Sequence, residues 1–132
     1  MIEVGTVIPE RIFWINRELL KRYADASGDQ NPIHQNETFA KSVGLPDVIA
    51  HGMLTMALVG KFVSDWAGGA SAVKEISGRF TKPVIVGAGA DVDLTVSGIV
   101  SEVNKSTVRL DLTATSAGVK VLGISKALVA RS

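Results

Sequence analysis

The sequence predicts an α+β fold, an antiparallel sheet packed on one long helix. Three observations carry this. Helical periodicity comes first along the chain and strand alternation follows. The segment at about 52–66 is apolar on nearly every face, as a helix enclosed by protein is. In "STVRLDLTATSA", Val108, Leu110, Leu112 and Ala114 alternate with Arg109, Asp111, Thr113 and Thr115, the mark of a sheet with one buried face.

The elements follow in order. "IEVGTVIPERIFWI" is read as a candidate edge strand. "NRELLKRYADASG" is a helix: Asn16 caps it, Leu19, Leu20, Tyr23 and Ala24 share a face, and Gly28 suits its left-handed end. Pro32 disfavours helix at Asn31, so "DQNPIH" is a turn or an extended link. "NETFAKSVG" is a short helix closed by Gly44. The apolar helix at about 52–66 follows, from Met53 to Trp66, and "AGGAS" ends it. "VKEISGRF", "ADVDLTVSGIVSEV", "STVRLDLTATSA" and "VKVLGISKALVA" are strands. Gly118 marks a hairpin turn. The last strand is apolar on both phases, which suits a central position. A sheet curled around one helix satisfies all of these, and 132 residues suit a single domain over 1–132.

Composition narrows the function. There are 14 basic and 13 acidic residues, few aromatics and no dense basic run, so no nucleic-acid partner is expected. No cysteine is present, which removes thiolate nucleophiles and Cys-ligated metals and fits a cytoplasmic setting. The N-terminus does not read as a signal peptide, and no apolar window is long enough for a membrane partner.

Chemistry can reside in few places. The chain has 2 histidines, His34 and His51, both in loops between helices. Asp29 lies near His34, across a proline-containing turn that can bring the two side chains to one point. An Asp beside a His orients the imidazole, and together they can hold and deprotonate a water. The competing reading is structural, since Asp after Gly and Asn-Pro are common turn choices. Gly52 opens the apolar helix and offers a backbone N–H and the positive dipole end, or sits there for turn geometry alone. His51 reads as structural. Asp29, His34 and His51 also make a two-His, one-carboxylate set, but the spacing does not match the usual short arrangement, and no metal is expected.

"YADASGDQNPIHQNETFA" followed by "GLPDVIAHGML" resembles the MaoC-like (R)-specific enoyl-CoA hydratase family. The family motif Gly-Asp-x-Asn-Pro-x-His, with a later Ala, falls on Gly28, Asp29, Asn31, Pro32, His34 and Ala40. The Ala-His-Gly-Met element falls on Ala50, His51, Gly52 and Met53, and "RFTKPVIVGA" resembles the family's entry to the sheet. Within the family, "NPIH", "AHGMLTM" and "LTATSAGVKVLG" resemble the small catalytic subunit of (3R)-hydroxyacyl-ACP dehydratases.

The resemblance implies a hot-dog fold, with the segment at 52–66 as central helix, and dimerisation. It implies reversible hydration of trans-2-enoyl thioesters to (3R)-3-hydroxyacyl thioesters, carried by CoA or ACP and without a cofactor. Asp29 and His34 would act on one water, and the Gly52 N–H would polarise the thioester carbonyl. The partner would be a second copy, or a second hot-dog subunit. Gly60 departs from the pattern, standing where some relatives carry a supporting serine. Val43, Leu45 and Met53 are candidates for an acyl tunnel. Two alternatives remain. One is a hot-dog thioesterase, for which the central helix offers only Asp65, and the other is a supporting subunit of a heterodimeric dehydratase.

Overall fold

The computed structural model describes residues 2–131. Strand β1 (Val7–Ile15) precedes helix α1 (Arg17–Ser27). A single 3-10 turn at Pro32–His34, the short helix α2 (Glu37–Ser42) and the long helix α3 (Gly52–Ala67) come next. Strands β2 (Val73–Phe80), β3 (Val92–Val103), β4 (Thr107–Ser116), β5 (Val119–Lys120) and β6 (Leu122–Ala130) complete the chain. All strand pairs are antiparallel, in the order β1-β3-β4-β6-β2, with β5 paired to β4. The expected α+β architecture is therefore present, a sheet on a long helix, and β1 is an edge strand.

Local chemistry explains the helix ends. The Asn16 side chain accepts the Leu19 N–H at 2.8 Å, and Gly28 closes α1 at φ +82°. Asn36 caps α2 by accepting the Phe39 N–H. Leu54, Val59, Phe62 and Val63 of α3 enter one core with Ile8, Ile15, Leu94, Val96, Leu110 and Ala127 of the sheet. The inward residues of β4 are those its alternation marks, Val108, Leu110, Leu112 and Ala114.

The "NPIH" segment is the turn expected of it, a 3-10 turn with Pro32 in its first position and Asn31 capping it through the Ile33 N–H. Two expectations need correction. Helix α3 runs to Ala67 and is not enclosed on all sides. Met53, Ala57, Lys61 and Asp65, spaced by four, form an exposed stripe, because the sheet of this one chain covers a single side. The last strand is interior, between β4 and β2, but it is not buried on both faces. Its inward residues run Leu122, Ser125, Ala127, Val129, and the phase slips at Ile124, which has φ +39° and points to solvent. Pairing with β2 shifts register there, between Ser77 and Arg79, so an irregularity and not double burial places apolar residues on both phases.

Candidate active site

The loop after α1 is built by short polar side chains bonding to nearby backbone. The Ser27 hydroxyl accepts the Asp29 N–H at 3.2 Å, and Asp29 Oδ1 accepts the Asn31 N–H at 3.2 Å. Asn31 Oδ1 then accepts the Ile33 N–H at 3.1 Å. This ladder turns the chain so that His34 ends the 3-10 turn and points inward. A second loop is fastened to it. The Ile49 N–H donates to Ile33 O at 3.2 Å, and His34 Nδ1 lies 2.8 Å from Ile49 O. Arg17 holds that second loop in turn, donating to Asp47 at 2.8 Å and to Val86 O at 2.7 Å.

Asp29 and His34 do come together. Asp29 Oδ2 lies 4.0 Å from His34 Nε2, with the carboxylate side chain 50% exposed and the imidazole 9%. So Asp29 serves the turn through Oδ1 and turns Oδ2 toward His34, and the structural reading of this residue does not exclude the catalytic one. The 4.0 Å separation is too long for a direct hydrogen bond and short enough for one water to bond both groups. The tautomer of His34 follows from its neighbour. A carbonyl only accepts, so Nδ1 carries the proton toward Ile49 O, and the Nε2 lone pair faces Asp29.

His51 joins the pair through its ring, a contact the sequence did not disclose. Its ring stacks on His34 with centroids 3.9 Å apart and planes at 23°. Its Nε2 lies 3.2 Å from the Asp29 carbonyl oxygen. Burial pushes the His51 imidazole below its ordinary 6.5; the hydrogen bond to the Asp29 backbone opposes this, and the neighbouring His34 adds to it. The nearest sequence signal was its place beside Gly52 in "AHGM". Ile49 gave no signal, because it acts through a backbone carbonyl that any residue carries.

Gly52 is the first residue of α3, so its N–H has no acceptor within the helix. Its backbone is ordinary and no turn demands glycine. The constraint is steric: a Cβ there would lie 3.0 Å from Phe80 Cζ. A cavity of about 310 Å³ adjoins it, lined by Ile49, Gly52, Thr55, Phe80, Lys82 and Val121 among others. Val43, Leu45 and Met53 do not line it. Val43 caps the end of α2, and Met53 is 65% exposed on the outer stripe of α3. A side chain at Gly60 would meet Ile76 Cδ1 at 3.8 Å, so that position faces β2. The groups seen supporting Asp29 and His34 are instead the Asn31 N–H, the Ile49 carbonyl and His51. Asp65 is bound to Arg11 at 2.6 Å and to Lys61 at 3.2 Å, and these cations hold its carboxyl below its ordinary range.

One ligand atom from each of Asp29, His34 and His51 lies within 4.8 Å of the others. The donor set does not suit a metal ion. Ring lone pairs lie in the ring plane, and two rings stacked at 23° aim them side by side and not at one point. Two of the ring nitrogens are also already committed to carbonyl oxygens. Among the described residues no helix is long and apolar enough to cross a membrane.

Comparison with known proteins gives a consistent picture. A family model described as MaoC like domain matches residues 6–118. The chain is 44% identical over 82 residues to 3-hydroxyacyl-thioester dehydratase X of Mycobacterium tuberculosis, covering 62% of this chain and 28% of that protein. A solved MaoC-like dehydratase superposes with a TM-score of 0.96 at 38% identity, over 99% of this chain and 41% of that one. R-Hydratase PhaJ1 from Pseudomonas aeruginosa superposes with a TM-score of 0.83 at 31% identity, over 99% of this chain and 83% of that one. The chain thus spans less than a third of the curated relative and less than half of the first of these structures.

Proposed function

Since the chain belongs to the MaoC-like domain family, matched over residues 6–118, we propose that it hydrates trans-2-enoyl thioesters and dehydrates (3R)-3-hydroxyacyl thioesters. The observation that carries this is the 4.0 Å gap between Asp29 Oδ2 and His34 Nε2, two acceptors facing one water-sized space. A water there donates one hydrogen to each and keeps a lone pair for attack. As its oxygen bonds C3, its proton passes to His34 Nε2 and the C2=C3 electron pair moves onto the thioester oxygen. The Gly52 N–H stabilises that oxygen. His34 then returns the proton to C2 on the same face, giving syn addition, while the Asp29 carboxylate offsets the transient imidazolium. The base supplies about 10²–10⁴-fold and the oxyanion donor about 10²–10³-fold. The acyl group is carried by CoA or by ACP, and the cavity beside Gly52 takes its reactive end. Thioester hydrolysis is the weaker reading, because its candidate carboxylate, Asp65, is exposed and engaged by Arg11 and Lys61.

We also propose that the chain works as a pair of hot-dog subunits, either two copies or this chain with a second subunit. The unpaired edge of β2 and the exposed stripe of α3 support pairing. The experiment is hydration of crotonyl-CoA by the purified chain, read as loss of enoyl absorbance, with free thiol measured in parallel. Asp29→Asn and His34→Gln should each lower turnover about 10²-fold or more with the fold intact. Full activity in either variant, or thiol release in place of hydration, overturns the assignment.

A further inference from the structure

The mechanism above uses Asp29, His34 and Gly52 and leaves a buried polar side chain beside them idle. His51 is 1% exposed, and its Nδ1 has no hydrogen-bond partner among the described residues. Buried polar atoms are ordinarily paired, so an orphan of this kind asks for a reason.

Its other contacts converge on the reacting pair. Nε2 faces the Asp29 carbonyl at 3.2 Å, and since a carbonyl only accepts, the proton sits on Nε2 and Nδ1 is bare. One ring face stacks on His34 at 3.9 Å. Tyr23 of α1 packs on the ring at 4.7 Å and 59°. The titratable groups facing His51 are therefore Tyr23 from α1 and Asp29 and His34 from the loop that follows. From its own side comes the first turn of α3, whose free N–H groups carry partial positive charge. A second proton on Nδ1 would be buried, without an acceptor, beside that positive end. Charge on this ring is therefore disfavoured. A neutral ring face against an imidazolium is tolerated, whereas two imidazolium rings in contact repel.

We propose that His51 is a positioning residue for the hydration: a neutral Nε2–H imidazole that pins the Asp29 backbone while lying flat on His34. One rigid ring thereby sets the spacing of both groups that hold the water. This inference rests on the hydratase reading of Asp29 and His34.

The test uses the wild-type chain, His51→Leu, and His51→Gln, which keeps an N–H able to reach the Asp29 carbonyl. Nitrogen-15 NMR of the wild type resolves its 2 imidazoles. His51 should hold the Nε2–H tautomer and gain its second proton only at a lower pH than a free imidazole does. In kinetics with crotonyl-CoA, His51→Leu should lower kcat about 10-fold or more with KM little changed, as misplacement of reacting groups does. His51→Gln should recover much of that loss. Titration of His51 at or above the pH of a free imidazole, unchanged kcat in a folded His51→Leu, or equal loss in the Leu and Gln variants overturns the proposal. Should His51→Leu not fold, the wild-type NMR and His51→Gln still decide. If instead the wild type hydrates nothing, it is the hydratase reading that has failed, and the positioning role falls with it.

Discussion

Asp29 points its two carboxylate oxygens different ways, with Oδ1 on the Asn31 N–H and Oδ2 toward His34. The residue pattern made this pair visible, because a Gly-Asp-x-Asn-Pro-x-His run states both the turn and its two side chains. The tunnel candidates Val43, Leu45 and Met53 were not visible in the same way, since cavity lining depends on which side of a helix the sheet covers. Gly52 supports a prediction at this scale. Proline is tolerated at the first position of a helix, so Gly52→Pro deletes the N–H while leaving α3 able to form. Both Pro and Ala add a Cβ that presses on Phe80, so Gly52→Ala controls for that contact. Relative to Gly52→Ala, Gly52→Pro should lose about 10²–10³-fold in kcat, measured on crotonyl-CoA with circular dichroism as the fold check. Equal activity in the two variants would remove the N–H from the mechanism.

The β4–β5 hairpin is the element where local rules and long-range contacts meet. Its turn residues Ala117 and Gly118 sit at φ +51° and +77°, which glycine accepts and alanine resists. Ala117→Asn should therefore raise stability by about 1 kcal/mol, seen as a higher thermal midpoint. The sequence marked this turn through Gly118. It did not mark the latch across it: Asp93 of β3 accepts the Ala117 N–H at 2.9 Å and the Thr95 hydroxyl at 2.7 Å. These bonds, the Ala117 N–H first, hold the Asp93 carboxyl below its ordinary 3.8. Because the folded value is the depressed one, the stabilisation is present above the unfolded value. It is lost as the pH falls through 3.8 toward the lower folded value. Asp93→Ala should cost about 1 kcal/mol near neutrality in urea unfolding, with the gap to wild type closing in acid. The irregularity at Ile124 escaped the sequence for the same reason as the latch. Apolar residues on two phases read equally as double burial or as a slipped register, and only the pairing with β2 separates them.

For the whole molecule, the open side of α3 and the free edge of β2 lie on the same chain. Met53 is 65% exposed and Phe80 53%, while among the described residues β2 pairs with β6 and no other strand. An unpaired strand edge with apolar neighbours favours association. If the pair is two copies, light scattering on the purified chain should give the mass of two chains, and a monomer that hydrates crotonyl-CoA at full rate would defeat either form of the proposed pairing. If the lone chain is inactive, adding a second hot-dog subunit should restore turnover.

The sequence by itself determined the period of most elements, the caps at Asn16 and Gly28, the inward face of β4 and the candidacy of Asp29, His34 and Gly52. These are local properties, set by neighbours along the chain and by what each side chain can bond within a few residues. Tertiary structure alone decided the tautomer of His34, the stacking of His51 upon it, the Phe80 ring over Gly52 and the open stripe on α3. Each depends on groups far apart in the chain that meet only when the sheet packs on α3 and the loops before it close, and no periodicity records such meetings.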